Sequence, residues 1–420
     1  MDRSGKRLWA FTRAAARRAL AKAKAAVTEG SSEDAGAVAE AEELYRAAGD
    51  LRAGVAKLAQ LMAYQAGPGA ADGGDARQLL GRMWDQAPTA DAEAVRRVVR
   101  EDLGGPPEEI FARWDDRPIA AASLGQVHAA TTREGVEVAV KVQYPGVGEA
   151  LRSDLESGAL LRKLAGSDVG DTLDEAALDA LRDAVLGELD YRAEGKMMER
   201  FRRAWLGDAA IRVPRFYPAL SSGRVLTAER LPGLALPELA GRPDPAANAR
   251  AAAAIFRFAW GSPLQHRLLN ADPNPGNYLV AEETTGFLDF GCAVEVDEAT
   301  AEHDREIWRA LLRSDPERFR HAVQEEGLLG RVRTLDSSTY RDWERWVAAP
   351  FVAGKPFRWT GAYATGLADL TSRLVRAGGL RLPPGALLLW RQRLGVAAVL
   401  ALLDAELDYR AALADVVSPK

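Results

Sequence analysis

The chain has 420 residues and a net charge of −5, from 55 lysines and arginines against 60 aspartates and glutamates. Its 47% hydrophobic and 27% charged residues are typical of globular proteins and exclude a disordered or collagen-like chain, while the mildly acidic balance argues against nucleic-acid binding. A single cysteine, Cys292, and four scattered histidines exclude an internal disulfide and a zinc-ligand pattern, which favours a reducing, cytoplasmic environment.

Residues 1–30 form a strongly basic segment. They carry eight lysines and arginines against Asp2 and Glu29, and apolar side chains recur at helical spacing from Trp9 to Val27. This pattern predicts a basic amphipathic helix. Two interpretations stay open: a solvated helix docked lightly on the protein body, which is slightly preferred, and a peripheral contact with an anionic membrane.

Helical patterns continue to about residue 112. Residues 35–65 are expected to be helical up to a loop of glycine, alanine and proline at Ala66–Ala76, and two shorter helical patterns follow within 77–112. We therefore expect residues 1–115 to form a helical N-terminal extension.

Strand patterns begin near Pro118. The segments Ser123–Thr132 and Val136–Val142 flank a short turn that ends in Gly135, which predicts a hairpin. Further helices and hairpins are expected over Val147–Leu164 and Asp174–Trp205 (helices), Val213–Phe216 with Arg224–Glu229 (hairpin) and Tyr278–Val280 with Gly286–Phe290 (small hairpin). The pattern predicts an α+β fold with an N-terminal lobe at 116–232 and a mostly helical C-terminal lobe at 233–420.

The most apolar stretch is Ala386–Leu403. It is interrupted by Arg391, Gln392 and Arg393, and each arginine would cost roughly 2.5 to 3.5 kcal/mol at the centre of a bilayer. We therefore expect no membrane span here. The tryptophans of the C-terminal third, Trp343, Trp346 and Trp359, are more typical of core packing than of a ligand site.

Three segments together indicate phosphoryl transfer. Lys141 lies on an apolar strand, Asp272 and Asn277 lie five residues apart in a loop rich in proline and glycine, and Asp289 follows within Leu288–Gly291. Phosphoryl transfer needs a lysine on the phosphates, an aspartate at the nucleophile, and an asparagine with a second aspartate for the divalent metal. Each segment alone also suits a surface lysine or an ordinary turn; their joint order favours the phosphate interpretation.

A strand lysine of this kind needs an acidic partner on a helix. The segment Glu188–Glu194 offers candidates, and on one continuous helix Asp190 and Glu194 share a face while Glu188 points elsewhere. A surface ion pair between Glu188 and Arg192 is the alternative.

The expected phosphate loop lacks its usual glycines. Ala120, Ala121, Ala122 and Ser123 occupy the place where a Gly-x-Gly-x-x-Gly turn would let backbone amides approach the phosphates. We therefore expect the nucleotide phosphates to be bound in a different geometry from that of a glycine-rich phosphate loop. The alternative is a short N-terminal strand, which a run of alanines suits poorly.

These motifs resemble the UbiB-type atypical kinases, which are linked to ubiquinone and prenyl-lipid biosynthesis, over roughly residues 51–294. The segments that carry the resemblance are Ala120–His128, Val138–Val147, Glu188–Glu194, Ala271–Asn277 and Leu288–Gly291. It implies a two-lobed protein-kinase-like fold that binds ATP and Mg²⁺. It also implies an isoprenoid lipid or small molecule, rather than a protein side chain, as the group acted on or the regulator.

The resemblance also implies roles for individual residues. Lys141 would bind the nucleotide phosphates with Glu194 as its partner, Asp272 would be the catalytic-loop aspartate, and Asn277 and Asp289 would hold magnesium. A lid helix would bring Lys57 and Gln60 over the cleft, with Lys57 meeting Glu188 and Asp190. Three departures stand out, namely Ala59 for a signature glycine, and Asn270 and Asn274 for histidines of the catalytic loop. The paired C-terminal membrane-spanning helices of several bacterial relatives are not expected.

Two other functions remain as alternatives. A nucleotide-gated pseudokinase scaffold for a lipid-pathway complex is suggested by Ala59, Asn270 and the alanine run. A small-molecule phosphotransferase of the aminoglycoside or choline kinase type has similar catalytic loops, although the alanine run and the lid helix argue against it.

Overall fold

The computed structural model describes residues 90–122, 124–149, 152, 186–242, 244–325, 337–376, 379–380 and 384–418. The basic N-terminal helix, the lid helix and most of the helix expected over Val147–Leu164 lie outside these residues. The described residues combine helices with small sheets, which confirms the α+β class.

The described part begins with two short helices, α1 (Ala92–Leu103) and α2 (Pro107–Ile110). Helix α1 buries Val95, Val98 and Val99 on one face and ends where Gly104 adopts a φ of 83°, a left-handed conformation that glycine tolerates best. Proline in the first turn of α2 suits a position whose N–H needs no helical acceptor. The helical patterns expected near these positions are confirmed.

The first sheet has four strands in the order β1-β2-β3-β5. Its strands are β1 (Arg113–Ala122), β2 (Gly125–Thr131), β3 (Glu137–Gln143) and β5 (Val225–Glu229). The β2–β3 hairpin closes where the Thr132 N–H donates to the Val136 carbonyl at 2.8 Å and Gly135 takes a φ of 83°. The hairpin predicted from these residues is confirmed.

Helix α3 (Tyr191–Ala204) begins abruptly. Asp190 is its N-cap, and the carboxylate accepts from the N–H groups of Arg192 and Ala193 at 3.0 and 3.3 Å. A continuous helix over Asp174–Trp205 was therefore a wrong prediction, because an aspartate that satisfies the first N–H groups starts a new helix. Glu188 lies in the turn before it, so the helical phase assumed for Glu188 and Asp190 was also wrong.

The second predicted hairpin forms only in part. Phe216 and Ala228 make an isolated antiparallel bridge, as expected for these two segments. Just before this segment lies β4 (Ile211–Arg212), which the sequence did not predict and which pairs in parallel with β9 (Thr285–Phe287). They belong to a second sheet of order β4-β9-β8-β6, whose other strands are β8 (Tyr278–Val280) and β6 (Leu234–Ala235).

Short strands and two helices flank the two predicted catalytic segments, one around Asp272 and one around Asp289. They are β6 (Leu234–Ala235), α4 (Leu236–Ala240), α5 (Pro245–His266), β7 (Leu268–Asn270), β8 (Tyr278–Val280), β9 (Thr285–Phe287) and β10 (Ala293–Glu295). Strands β8 and β9 pair antiparallel with Tyr278 opposite Phe287, which confirms the small hairpin. Strands β7 and β10 form a separate antiparallel pair.

The C-terminal part is mainly helical. Its elements are α6 (Glu298–Leu312), α7 (Pro316–Glu325), α8 (Ser337–Ala348), β11 (Phe357–Arg358), α9 (Gly361–Arg376), α10 (Pro384–Leu403), β12 (Glu406–Leu407) and α11 (Tyr409–Val417). Trp343 and Trp359 are buried in the main hydrophobic core, which confirms their packing role. Across the ranges described above, no helix has the length and apolar character to cross a membrane.

The chain divides into two compact units. One consists of Met1–Ala130 with Lys141–Leu189, and the other of Thr131–Val140 with Asp190–Lys420. The catalytic segments around Asp272 and Asp289 both belong to the second unit, whereas Lys141 belongs to the first. The division into lobes at residues 115 and 232 stays a prediction.

Candidate functional site

The β7–β10 ladder brings the catalytic segments together. Asn270 at the end of β7 lies opposite Ala293 of β10, and the N–H of Ala271 donates to the Cys292 carbonyl at 3.2 Å. The loop with Asp272 leaves one strand while the segment with Asp289 leads into the other. Residues 17 positions apart along the chain are thus held side by side by backbone pairing.

Asp272 and Asn277 contact each other directly. The Asn277 Nδ2 donates to the Asp272 Oδ2 at 3.3 Å, which leaves the amide oxygen of Asn277 as the end able to meet a cation. The loop between them tightens into a single 3₁₀ turn at Pro275–Asn277, capped by the Asn274 side chain. Asp272 is 4% exposed, so this carboxylate is held in a largely desolvated position.

Asp289 lines the same cavity as Asp272 and Asn277. Its Oδ1 accepts from the N–H of Gly291 at 2.9 Å, a local turn that fixes the carboxylate. The cavity has a volume of about 10 Å³, close to the smallest that admits one water-sized group. Three residues that the sequence assigned to metal and catalysis therefore share one cavity.

Asn270 joins the two catalytic segments. Its Nδ2 donates to the Asp289 carbonyl at 2.7 Å, and its Oδ1 accepts from the Asp272 N–H at 3.2 Å. One amide side chain thus supplies both a donor and an acceptor to backbone on either side of the cavity. The sequence marked Asn270 only as a departure from a histidine, whereas the structure gives it a defined bridging role.

Helix α3 packs against the segment that follows Asp289. The rings of Phe290 and Phe201 are 4.9 Å apart, and Arg200 forms an ion pair with Glu295. At Gly195 a Cβ would come within 2.2 Å of the Phe216 ring, so glycine is required for this close packing. The neighbouring Glu194 is 5% exposed in the first turn, and the packing fixes the helix that carries it.

The other predicted site residues lie on β1, on β3 and around the start of α3, or outside the described residues. Lys141 is half-buried on β3, Glu188 is buried, and Asp190 is exposed as the cap of α3. Residues Ala120, Ala121 and Ala122 lie in the extended strand β1, so the alternative of a strand is correct for them. Ser123, Lys57 and Gln60 lie outside the described residues. The convergence of Lys141 with Asp289 stays a prediction.

The donor set fits magnesium better than a transition metal. Within the part of the chain that the structure describes, no group of three or more His, Cys, Asp or Glu side chains could hold a metal ion. Mg²⁺ usually binds through one or two carboxylates, with water and substrate phosphates completing the octahedron. Asp289, Asn277 and the adjacent Asp272 supply only oxygen ligands and match that pattern.

Gln392 also lines the cavity, and the sequence did not predict this. It lies on α10 with 2% exposure, and its Oε1 has no hydrogen-bond partner among the described residues. A usable signal was present, because a glutamine inside a long apolar stretch is costly to bury unless it meets a polar group.

Comparison with known families identifies the domain type. The family described as ABC1 atypical kinase-like domain matches residues 82–323, which is more than half of the chain. The match covers the two catalytic segments, β3 and helix α3. It confirms the predicted resemblance to UbiB-type atypical kinases and the kinase-like fold.

Individual relatives agree with this match. "Atypical kinase COQ8B, mitochondrial" of Rattus norvegicus is 29% identical over 282 residues, covering 67% of this chain and 52% of that protein. "Atypical kinase COQ8, mitochondrial" of Saccharomyces cerevisiae is 29% identical over 287 residues, covering 67% and 55%. The chain therefore spans about half the length of the curated relatives it matches.

A solved structure is similar over nearly the whole chain. The Rv3197–erythromycin complex from Mycobacterium tuberculosis matches with a TM-score of 0.65 and 26% identity, covering 90% of this chain and 96% of that one. The likeness therefore includes the C-terminal helices, beyond the matched family domain.

Proposed function

Because the chain belongs to the ABC1 atypical kinase-like domain family, we propose that it binds ATP with Mg²⁺ and transfers or hydrolyses the terminal phosphoryl group. The observation that carries this proposal is the shared cavity of Asp272, Asn277 and Asp289. A kinase active site needs these three side chains within reach of one triphosphate and its cation.

Each residue has a distinct task in this proposal. Asp272 accepts a hydrogen bond from the attacking hydroxyl or water and orients it, and Asn277 and Asp289 hold the cation. The bound Mg²⁺ would neutralise charge on the phosphate oxygens. Lys141, held by Glu194, would neutralise charge on the same phosphates from strand β3. The low exposure of Asp272 strengthens these interactions because water screens them less.

We further propose that the acceptor or regulator is an isoprenoid lipid or another small organic molecule. The resemblance to UbiB-type kinases supports a lipid, and the erythromycin complex of the similar Mycobacterium structure supports a small organic ligand. The predicted lid with Lys57 and Gln60 would exclude a peptide substrate from the cleft.

The decisive test removes one metal ligand. Asp289→Asn keeps the shape of the side chain and removes its charge, so Mg²⁺-dependent ATP hydrolysis should fall by at least about 10²-fold. Asp342→Asn, on an exposed carboxylate of α8, is the matched control and should hydrolyse ATP normally. Full turnover by Asp289→Asn would overturn the proposal.

A nucleotide-gated scaffold is the second candidate. The extended conformation of Ala120, Ala121 and Ala122 in β1 favours it, since no glycine-rich turn then brings backbone amides to the phosphates. Thermal stabilisation by ATP with Mg²⁺, without hydrolysis in the presence of any lipid tested, would support the scaffold over the enzyme.

A further inference from the structure

One face of helix α10 covers the catalytic loop. Leu389, Gln392 and Val396 recur at positions i, i+3 and i+7 and therefore lie on the same side of the helix. Leu389 packs in a small buried cluster with Leu269 and Ala271, on either side of Asn270. Gln392 and Val396 line the cavity that holds Asp272 and Asp289.

Gly395 makes the closest approach of this helix to the loop. A Cβ at Gly395 would lie 2.2 Å from Cγ of Pro273, the residue after Asp272. Two carbon atoms cannot approach that closely, since their optimal separation is about 3.5 to 4.0 Å. Only glycine lets the backbone of α10 rest directly against the catalytic loop.

A buried ion pair holds α10 in this rotation. The Arg393 Nη2 donates to the Asp304 Oδ2 of α6 at 2.5 Å, and the two side chains are 5% and 2% exposed. The Arg393 guanidinium also lies 4.8 Å from the centre of the Trp308 ring, and Trp308 donates to the same carboxylate. Separating a buried charge from its partner costs much free energy, so the ion pair fixes the rotation of α10 about its axis. Gln392 and Gly395 are thereby kept facing the catalytic loop.

We propose that α10, which follows the matched family domain in the chain, positions Asp272 for catalysis through the contact of Gly395 with Pro273. Gln392 adds a buried acceptor to the wall of the same cavity. Gly395 is a positioning residue, since it acts on Asp272 through Pro273. The catalytic consequence rests on the proposed phosphoryl-transfer function, whereas the positioning itself does not.

The test measures the loop without any nucleotide. Gly395→Ala should raise amide hydrogen exchange across residues 269–277 roughly tenfold, because the loop must shift away from the added methyl group. Gly361→Ala at the start of α9, where a Cβ meets nothing within 4 Å, is the matched control and should leave that exchange unchanged. Unchanged exchange in Gly395→Ala would overturn the proposal.

A second-site variant separates positioning from general damage. Pro273→Ala removes the atom that would clash, so Gly395→Ala/Pro273→Ala should restore exchange to the level of Pro273→Ala alone. If Gly395→Ala does not fold, Pro273→Ala alone is informative: loosening the contact should raise exchange across residues 394–397 of α10 as well. Effects confined to the substituted segment would contradict the proposal.

Nucleotide measurements then connect the contact to function. In Gly395→Ala, kcat for ATP hydrolysis should fall roughly 10²-fold with a smaller change in KM, as expected when a catalytic group is displaced by about 1 Å. If Gly395→Ala loosens the loop but the wild-type protein neither binds nor hydrolyses ATP, the positioning role is supported and the proposed function is refuted. Normal kcat in a variant with a loosened loop would refute the catalytic consequence.

Discussion

At the scale of single residues, the site depends on short polar side chains that bridge backbone segments. Asn270 contacts both catalytic segments, and Asn274, Asp289 and Asn277 each fix a local turn or a neighbouring carboxylate. Such bonds contribute about 0.5 to 1.5 kcal/mol each, but they decide where a carboxylate points. The residue types could be predicted from the motif, whereas the partners of Asn270 could not.

Asn270→Ala should impair catalysis more than folding. The variant loses two hydrogen bonds, about 1 to 3 kcal/mol of stability, and with them the side-chain link between the Asp289 segment and the Asp272 loop. The Mg²⁺ concentration that half-saturates ATP hydrolysis should therefore rise, which a purely structural defect would not cause. Asn270→His, the residue usual in the resembled family, keeps a ring N–H donor and should retain most of the activity.

His128 should make the protein sensitive to mild acid. It is fully buried against the ring of Trp114, with Nδ1 bonded to the Asp115 carbonyl at 2.8 Å and Nε2 to Gln126 at 2.9 Å. Burial lowers the pKa of His128 below its usual 6.5, although the Asp115 carbonyl and the charges of Asp116 and Asp115 oppose this. The unfolded chain therefore binds a proton on His128 at a higher pH than the folded chain does.

Mild acid should lower the stability of the folded protein through His128. As pH falls below about 6.5, the free energy of unfolding should decrease by up to about 1.4 kcal/mol per pH unit, until the folded-state pKa is reached. Urea unfolding at pH 7.5, 6.5 and 5.5 measures this slope. His128→Phe keeps the stacking on Trp114 and removes the titration, so its slope should be smaller; equal slopes in both proteins would contradict the assignment.

At the scale of elements, local signals predicted some units well. The β2–β3 and β8–β9 hairpins follow from alternating side chains around short turns, so the sequence was sufficient. Strand β4 is different, because its parallel partner β9 lies about 70 residues further along the chain. No local pattern encodes such a pairing, and the sequence did not predict strand β4.

The N-cap of helix α3 tests whether a single local side chain, Asp190, stabilises the start of this helix. Asp190→Ala removes the side chain that accepts from the N–H groups of Arg192 and Ala193, and should lower the free energy of unfolding by about 0.5 to 2 kcal/mol. Asp190→Asn keeps the acceptor and should lose much less in urea unfolding. An equal loss in both variants would mean that the charge, rather than the cap, is what matters at this position.

At the scale of the whole molecule, sequence motifs predict the candidate catalytic residues but not the contacts that hold them in place. Asp272, Asn277 and Asp289 were recognised by type and spacing, and all three line one cavity. Gln392 and Gly395 lie more than 100 residues later, on a helix for which the sequence predicted only that it does not span a membrane. Their proposed role depends on the approach of Gly395 to Pro273 and on the cavity that Gln392 shares with Asp272, which no short sequence pattern encodes.

In the membrane interpretation, the positive charge of residues 1–30 predicts binding to anionic membranes. An excess of six positive charges near an anionic surface, at about 1 kcal/mol each, would hold the chain on phosphatidylglycerol vesicles, and 0.5 M salt would release it. In that interpretation the vesicles bind the intact chain, change its ATP hydrolysis, and leave a chain of residues 31–420 unaffected. Neutral phosphatidylcholine vesicles are the control.

The docked-helix interpretation expects a different outcome. Deleting residues 1–30 would then remove packed apolar side chains such as Trp9 and Leu20 and lower the thermal unfolding midpoint, with or without vesicles. Sedimentation with vesicles and thermal unfolding of the same two chains therefore separate the interpretations. Arg17→Glu/Arg18→Glu, which removes four units of positive charge without shortening the chain, should abolish vesicle binding and leave the unfolding midpoint nearly unchanged if the membrane interpretation holds.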